Sequence, residues 1–159
     1  MDEFDFTTCK IYENFSNYSA WQRRAHLLPA YLNAMSEETA VRASLLRNEV
    51  ELCRNAAWTE PADQSVWFYQ RWFFEQLPGA LCSDDEKELI KLLATEQLKS
   101  MEELIKEEPN AALAHSFVLF LVERFEGQVQ SGRPRELLEH LLRIDPLRRE
   151  YWQMILKDK

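Results

Sequence analysis

The chain has 159 residues, 46% of them apolar and 12% aromatic, and a formal charge of −8 from 19 basic and 27 acidic side chains. At roughly 100–200 residues per domain this is one domain with enough chain for a core, and that much apolar bulk excludes intrinsic disorder. With only three glycines, against an average near ~7%, it lacks the glycine-rich loops that cradle phosphates, and an acidic chain has no electrostatic footprint for nucleic acid.

The cysteines (Cys9, Cys53, Cys82) are odd in number and far apart, with no Cys-x-x-Cys and no disulfide framework, which predicts a reducing, cytoplasmic setting. The acidic start MDEFDFTTCK has no apolar run of the secretory kind. No stretch approaches the roughly 18 apolar residues needed to span a bilayer, so no membrane insertion is expected.

Apolar residues recur at steps of three and four nearly everywhere, and no segment alternates with a period of two for long enough to suggest a strand. The pattern predicts helices over 3–14, 17–32, 37–58, 63–77, 84–107, 110–128, 133–144 and 147–157. Ser36 is placed to cap the third, and Ser83 with Glu86 reads as a capping box for the fifth. In that fifth helix Leu89, Ile90, Leu93, Met101, Leu104 and Ile105 share a stripe. Pro61, Pro109 and Pro146 each end one helix and start the next, as proline suits a first helical turn. The acidic runs 83–86, 101–103 and 107–108 read as solvated helix faces and helix-start charges.

The breaks share a spacing. Phe15 lies six residues before Trp21, Pro61 six before Trp67, Pro109 six before His115 and Pro146 six before Trp152. The marker residues recur at intervals of 46, 48 and 37, each soon after a predicted break. Periods in this range indicate an array of helix pairs, each burying its face on its neighbours. His115 takes the place of the large aromatic once.

Asn14-Phe-Ser-Asn-Tyr-Ser-Ala-Trp-Gln-Arg-Arg24 and Glu60-Pro-Ala-Asp-Gln-Ser-Val-Trp-Phe-Tyr-Gln-Arg-Trp72 resemble protein prenyltransferase α-subunit repeats, nearest to the type II, or Rab geranylgeranyltransferase, branch. Ile144-Asp-Pro-Leu-Arg-Arg-Glu-Tyr-Trp152 resembles the closing repeat of that family. The resemblance covers almost the whole chain but only part of the family's usual α subunit, which carries further repeats upstream. One of those holds a Lys-containing turn facing the isoprenoid diphosphate. Here the turn before Trp21 is Ser16-Asn17-Tyr18, and no Lys sits in this turn of any repeat. Gln22 follows Trp21 where His is common, and the third repeat, with Ala111, Ala112 and His115, is degenerate.

The expected fold is all-α: a right-handed α-α superhelix of about four antiparallel helix pairs, 3–32, 36–77, 84–128 and 133–157, forming a single helical-repeat domain. The resemblance implies an α subunit, or a fragment of one, of a Rab geranylgeranyltransferase. That enzyme transfers geranylgeranyl from its diphosphate to C-terminal cysteines of Rab GTPases. It implies a β-subunit partner carrying the zinc, the lipid pocket and the thiolate site, and an escort protein that presents the Rab. This chain alone is expected to hold no cofactor, no metal and no activity. The alternative is a non-enzymatic helical-repeat scaffold of the tetratricopeptide kind, against which the spacing near 46 rather than about 34 argues.

No nucleophile, base and acid can be assembled from the motifs, so no catalytic residue is named. The candidates for partner binding are Trp67, Phe68, Tyr69, Arg71, Trp72, Arg24 and Tyr18. Trp21, Trp67 and Trp152 read either as anchors for a partner or, preferably, as fillers of the grooves between helix pairs. Arg24 and Arg71 lie a helical turn beyond Trp21 and Trp67, where they meet a diphosphate or partner carboxylate, or else carbonyls of the adjacent helix. The stretch 67–74 is apolar all round, with six aromatic residues in eight, and a partner subunit is expected to cover what the neighbouring helices leave, the alternatives being a cover from within the chain or an aromatic-rich aggregate. Cys53 is expected in the core and Cys82 in an exposed loop, and the histidines and cysteines show no metal spacing.

Overall fold

The computed structural model describes residues 2–35, 39–125 and 134–157. Among them there is no strand, and the helices follow the expected order: α1 (Glu3–Glu13), α2 (Tyr18–Ala34), α3 (Thr39–Thr59), α4 (Gln64–Glu75), α5 (Leu77–Ala80), α6 (Asp84–Glu107), α7 (Ala112–Arg124), α8 (Pro134–Ile144) and α9 (Arg149–Lys157). The cap expected at Ser36 and the stretch 126–128 expected to end α7 lie outside the described residues. The helix expected over 63–77 stops at Glu75 and a separate short turn, α5, follows, because Pro78 has no N–H to continue the ladder. A 3₁₀ turn over Pro146–Arg148 precedes α9.

The chain forms two compact units, Met1–Leu93 and Ala94–Lys159. In the first, α1 packs on α2, and α4 packs on both α2 and α3. In the second, α7 packs on α8 and α8 on α9. The first core is built on Trp21, Leu28, Leu46, Cys53, Trp67 and Phe73, and the second includes Leu119, Leu138, Leu141 and Trp152. Each large side chain so buried contributes roughly 1.5–3 kcal/mol relative to leaving it in water. Cys53 is buried and Cys82 exposed, as expected. Glu86, read from sequence as a solvated helix-start charge, is 3% exposed and places both carboxylate oxygens on Arg42 of α3, whose guanidinium also donates to the Leu32 carbonyl. A carboxylate in the first turn of α6 thus ties together the end of α2, α3 and α6.

The six-residue spacing has a physical cause. The Trp21 indole N–H donates to the Phe15 carbonyl at 2.7 Å, and the Trp67 indole N–H donates to the Pro61 carbonyl at 3.0 Å. Each inter-helix turn therefore hands one carbonyl, which no helix can satisfy, to the ring that fills the groove behind it. The same turns close on N-caps. The Asn17 side chain accepts from the Ala20 N–H at 3.1 Å, and Asp63 accepts from the Ser65 N–H at 2.8 Å.

In the third repeat the imidazole of His115 is too short for that reach, and its Nδ1–H donates instead to the Ala111 carbonyl at 3.0 Å. The carbonyl of Pro109, left over, accepts the Nε2–H of His140 at 2.8 Å, and the two imidazoles stack with centroids 4.5 Å apart. A pair of histidines from α7 and α8 thus does what one tryptophan does elsewhere. In the fourth repeat Trp152 donates to the Asp145 carboxylate at 3.0 Å, and Arg148 pairs with the same group at 2.6 Å.

His115 makes stability depend on pH. Each carbonyl only accepts, so Nδ1 of His115 and Nε2 of His140 carry the protons, and Nδ1 of His140 faces Arg143 at 3.4 Å. Burial lowers the His115 pKa below its ordinary 6.5; the Ala111 carbonyl raises it by less, and His140 lowers it further. A histidine whose folded pKa lies below its unfolded value contributes its full stability above about pH 6.5, and that contribution is lost as the pH falls below this value. We expect the melting temperature to drop between pH 7.5 and 5.5 and His115→Phe to flatten the slope. Equal slopes in the two proteins, measured by circular dichroism, would show that His115 does not set the pH dependence in this window.

Candidate functional site

At the centre of the first unit lies a buried charge network. The Arg24 guanidinium forks onto Glu49, with Nε to Oε2 at 2.7 Å and Nη2 to Oε1 at 2.5 Å. Its Nη1 donates to the hydroxyls of Thr7 at 2.9 Å and Thr8 at 2.8 Å, and its plane stacks over the Phe4 ring at 3.9 Å. The Tyr69 hydroxyl closes the set by donating to Glu49 Oε2 at 2.5 Å. Helices α1, α2, α3 and α4 each supply a member. Burial pulls the Arg24 pKa down, but the hydrogen bonds and charge of Glu49 outweigh it and hold the guanidinium above its ordinary value. Burial, and after it the Glu49 charge, pushes the Tyr69 hydroxyl and the Cys53 thiol well up, so both stay neutral.

This settles where several candidates lie. Arg24, Trp67 and Tyr69 are buried within the chain, at 4%, 3% and 3% exposure, and Arg24 meets a carboxylate of its own chain rather than a diphosphate or a helix-end carbonyl alone. Most of the aromatic stretch 67–74 is likewise covered by the chain itself, because α2 and α3 both pack on α4. Phe68 and Tyr18 stand at the surface, while Trp72 and Arg71 are half-buried. Sequence reading missed Glu49. Its signal was available, since Glu49 falls in the Leu46, Val50, Cys53 stripe of α3, where a carboxylate needs a buried partner.

Of the candidates that reach the surface, Tyr18, Phe68 and Trp72 converge on one groove of about 290 Å³ between α2 and α4, and Arg71 does not line it. Trp21 and Tyr69, with ring centroids 5.0 Å apart, form its floor; Tyr18, Phe68 and Trp72 wall it. Gln22, Ala25, His26, Ser65 and Gln76 complete the lining, and no Asp, Glu, Lys or Arg takes part. Among the described residues no three His, Cys, Asp or Glu converge as a metal site would require, and no helix is long and apolar enough to cross a membrane.

Helix pairs in repeated order, with an aromatic groove at the surface and buried charges spent on internal bonds, define a helical-repeat array. Residues 1–31 and 46–77 match the protein prenyltransferase alpha subunit repeat, the two segments that hold Trp21 and Trp67. Along its length the chain is similar to geranylgeranyl transferase type-2 alpha subunits. It is 38% identical to that of Saccharomyces cerevisiae over 93 residues, covering 58% of the chain and 27% of the relative. With that of Schizosaccharomyces pombe the identity is 28% over 167 residues, or 92% of the chain and 47% of the relative. Against that of Rattus norvegicus it is 43% over 74 residues, or 45% of the chain and 13% of the relative. The chain spans about half, or less, of the length of the curated relatives it matches.

Proposed function

We propose that the chain acts as an α subunit, or as part of one, of a Rab geranylgeranyltransferase, supporting a β subunit that performs the transfer. The observation that carries this reading is the repeat match over the two Trp-containing helix pairs. In this reading a Rab C-terminal cysteine thiolate attacks the first carbon of geranylgeranyl diphosphate, a thioether forms and diphosphate leaves. The zinc that activates the thiol and the lipid pocket lie in the β subunit, an escort protein presents the Rab, and the setting is the cytoplasm. The chain's own part is to hold the β subunit on a rigid helical surface, for which the interlocked α1–α4 core is suited.

Co-expression with a type-2 β subunit tests it. A soluble 1:1 complex is expected. With geranylgeranyl diphosphate, Rab and escort protein, lipid transfer is expected from the complex and none above background from the chain alone. Transfer by the chain alone would place chemistry in residues described above as structural. A complex that forms but stays inactive would count against the transferase reading and for a non-enzymatic helical-repeat scaffold.

A further inference from the structure

We propose that the groove between α2 and α4 seats one large uncharged side chain, aromatic or aliphatic, presented by a neutral segment of the β-type partner; this rests on the α-subunit reading above. Its volume, about 290 Å³, sits at the bottom of the range for small-molecule pockets, roughly 300–1,000 Å³, and suits a side chain better than a metabolite. The floor offers ring faces and nothing polar, because the Trp21 N–H is committed to the Phe15 carbonyl and the Tyr69 O–H to Glu49.

A charged group pressed onto that floor loses its hydration and finds no counter-charge, since no Asp, Glu, Lys or Arg lines the groove in a chain that is 29% charged. With no carboxylate, ammonium or guanidinium in the lining, in which His26 is the one imidazole, the groove favours a neutral occupant. The walls supply the contact area: Tyr18 is 54% and Phe68 58% exposed, a costly way to leave two large rings unless something covers them. The amides of Gln22 and Gln76 at the rim can bond the main chain on either side of an inserted residue. Exposed aromatic rings around a small pocket are what interface hot spots are made of.

The test is the affinity of the full chain for a purified type-2 β subunit, measured by interferometry. Ala25→Phe fills the groove without adding charge, and Phe68→Asp places a carboxylate in its wall. Each is expected to weaken binding by about tenfold or more, with the helical spectrum and melting temperature of the free chain nearly unchanged. Leu147→Glu, at a site 96% exposed in the other unit, is expected to bind like the parent. If both groove variants bind as tightly as the parent, the groove is not the seat, although the α-subunit reading stands. If the parent chain itself binds no β subunit, both fall.

Discussion

Glu49→Leu is expected to cost the first unit about 3–5 kcal/mol. The substitution removes the carboxylate that pairs with Arg24, the two side chains being 0% and 4% exposed. A guanidinium is then left in the core with only hydroxyls and a carbonyl, and the Tyr69 hydroxyl loses its acceptor. For a chain of this length the loss corresponds to a fall in melting temperature of roughly 6–20 °C. Arg24→Met combined with Glu49→Leu is expected to recover much of it, since a hydrophobic replacement of both partners leaves no buried charge unpaired. Urea denaturation followed by circular dichroism measures both. A Glu49→Leu protein less than about 1 kcal/mol weaker than the parent would mean that water reaches the pair.

Trp67→Ala is expected to cost about 3–5 kcal/mol for a different reason. Trp67 is 3% exposed, so truncation opens a cavity in the first unit and also strips the Pro61 carbonyl of its indole donor. Trp67→Phe separates the two contributions. It keeps most of the ring and removes the N–H, and is expected to cost about 1–2 kcal/mol on the hydrogen bond and a smaller void. If Trp67→Phe were as damaging as Trp67→Ala, the bond to the turn, and not ring packing, would hold the repeat together. The same comparison at Trp21, with its 2.7 Å bond to Phe15, is expected to give the same ranking.

The helices and the repeat were legible in the sequence because both depend on local rules. A three-to-four step of apolar residues implies a helix wherever it occurs, and in the first two repeats a turn residue lies six before the ring because that length serves one hydrogen bond. The α6 bounds, 84–107, emerged in this way. Which large side chains face water was not legible. Phe68 and Tyr69 are consecutive aromatic residues, yet one is 58% exposed and the other 3%. Neighbours on a helix point about a hundred degrees apart, and only the placement of α2 and α3 against α4 decides which is covered.

The buried charges were hidden for a similar reason. Arg24 and Glu49 are 25 residues apart, and Arg42 and Glu86 are 44 apart. The apolar stripe around Glu49 implied a buried partner, but which residues pair was decided only when three or four helices brought them within bonding distance. The substitution of two histidines for one tryptophan belongs to the same class. Composition and periodicity determined an all-helical repeat array with Trp21, Trp67 and Trp152 in register. Tertiary packing alone decided that Arg24 and Tyr69 join Trp67 in the core while Tyr18 and Phe68 face the surface and Trp72 is half-buried, because burial is a property of what lies opposite a residue and not of the residue itself.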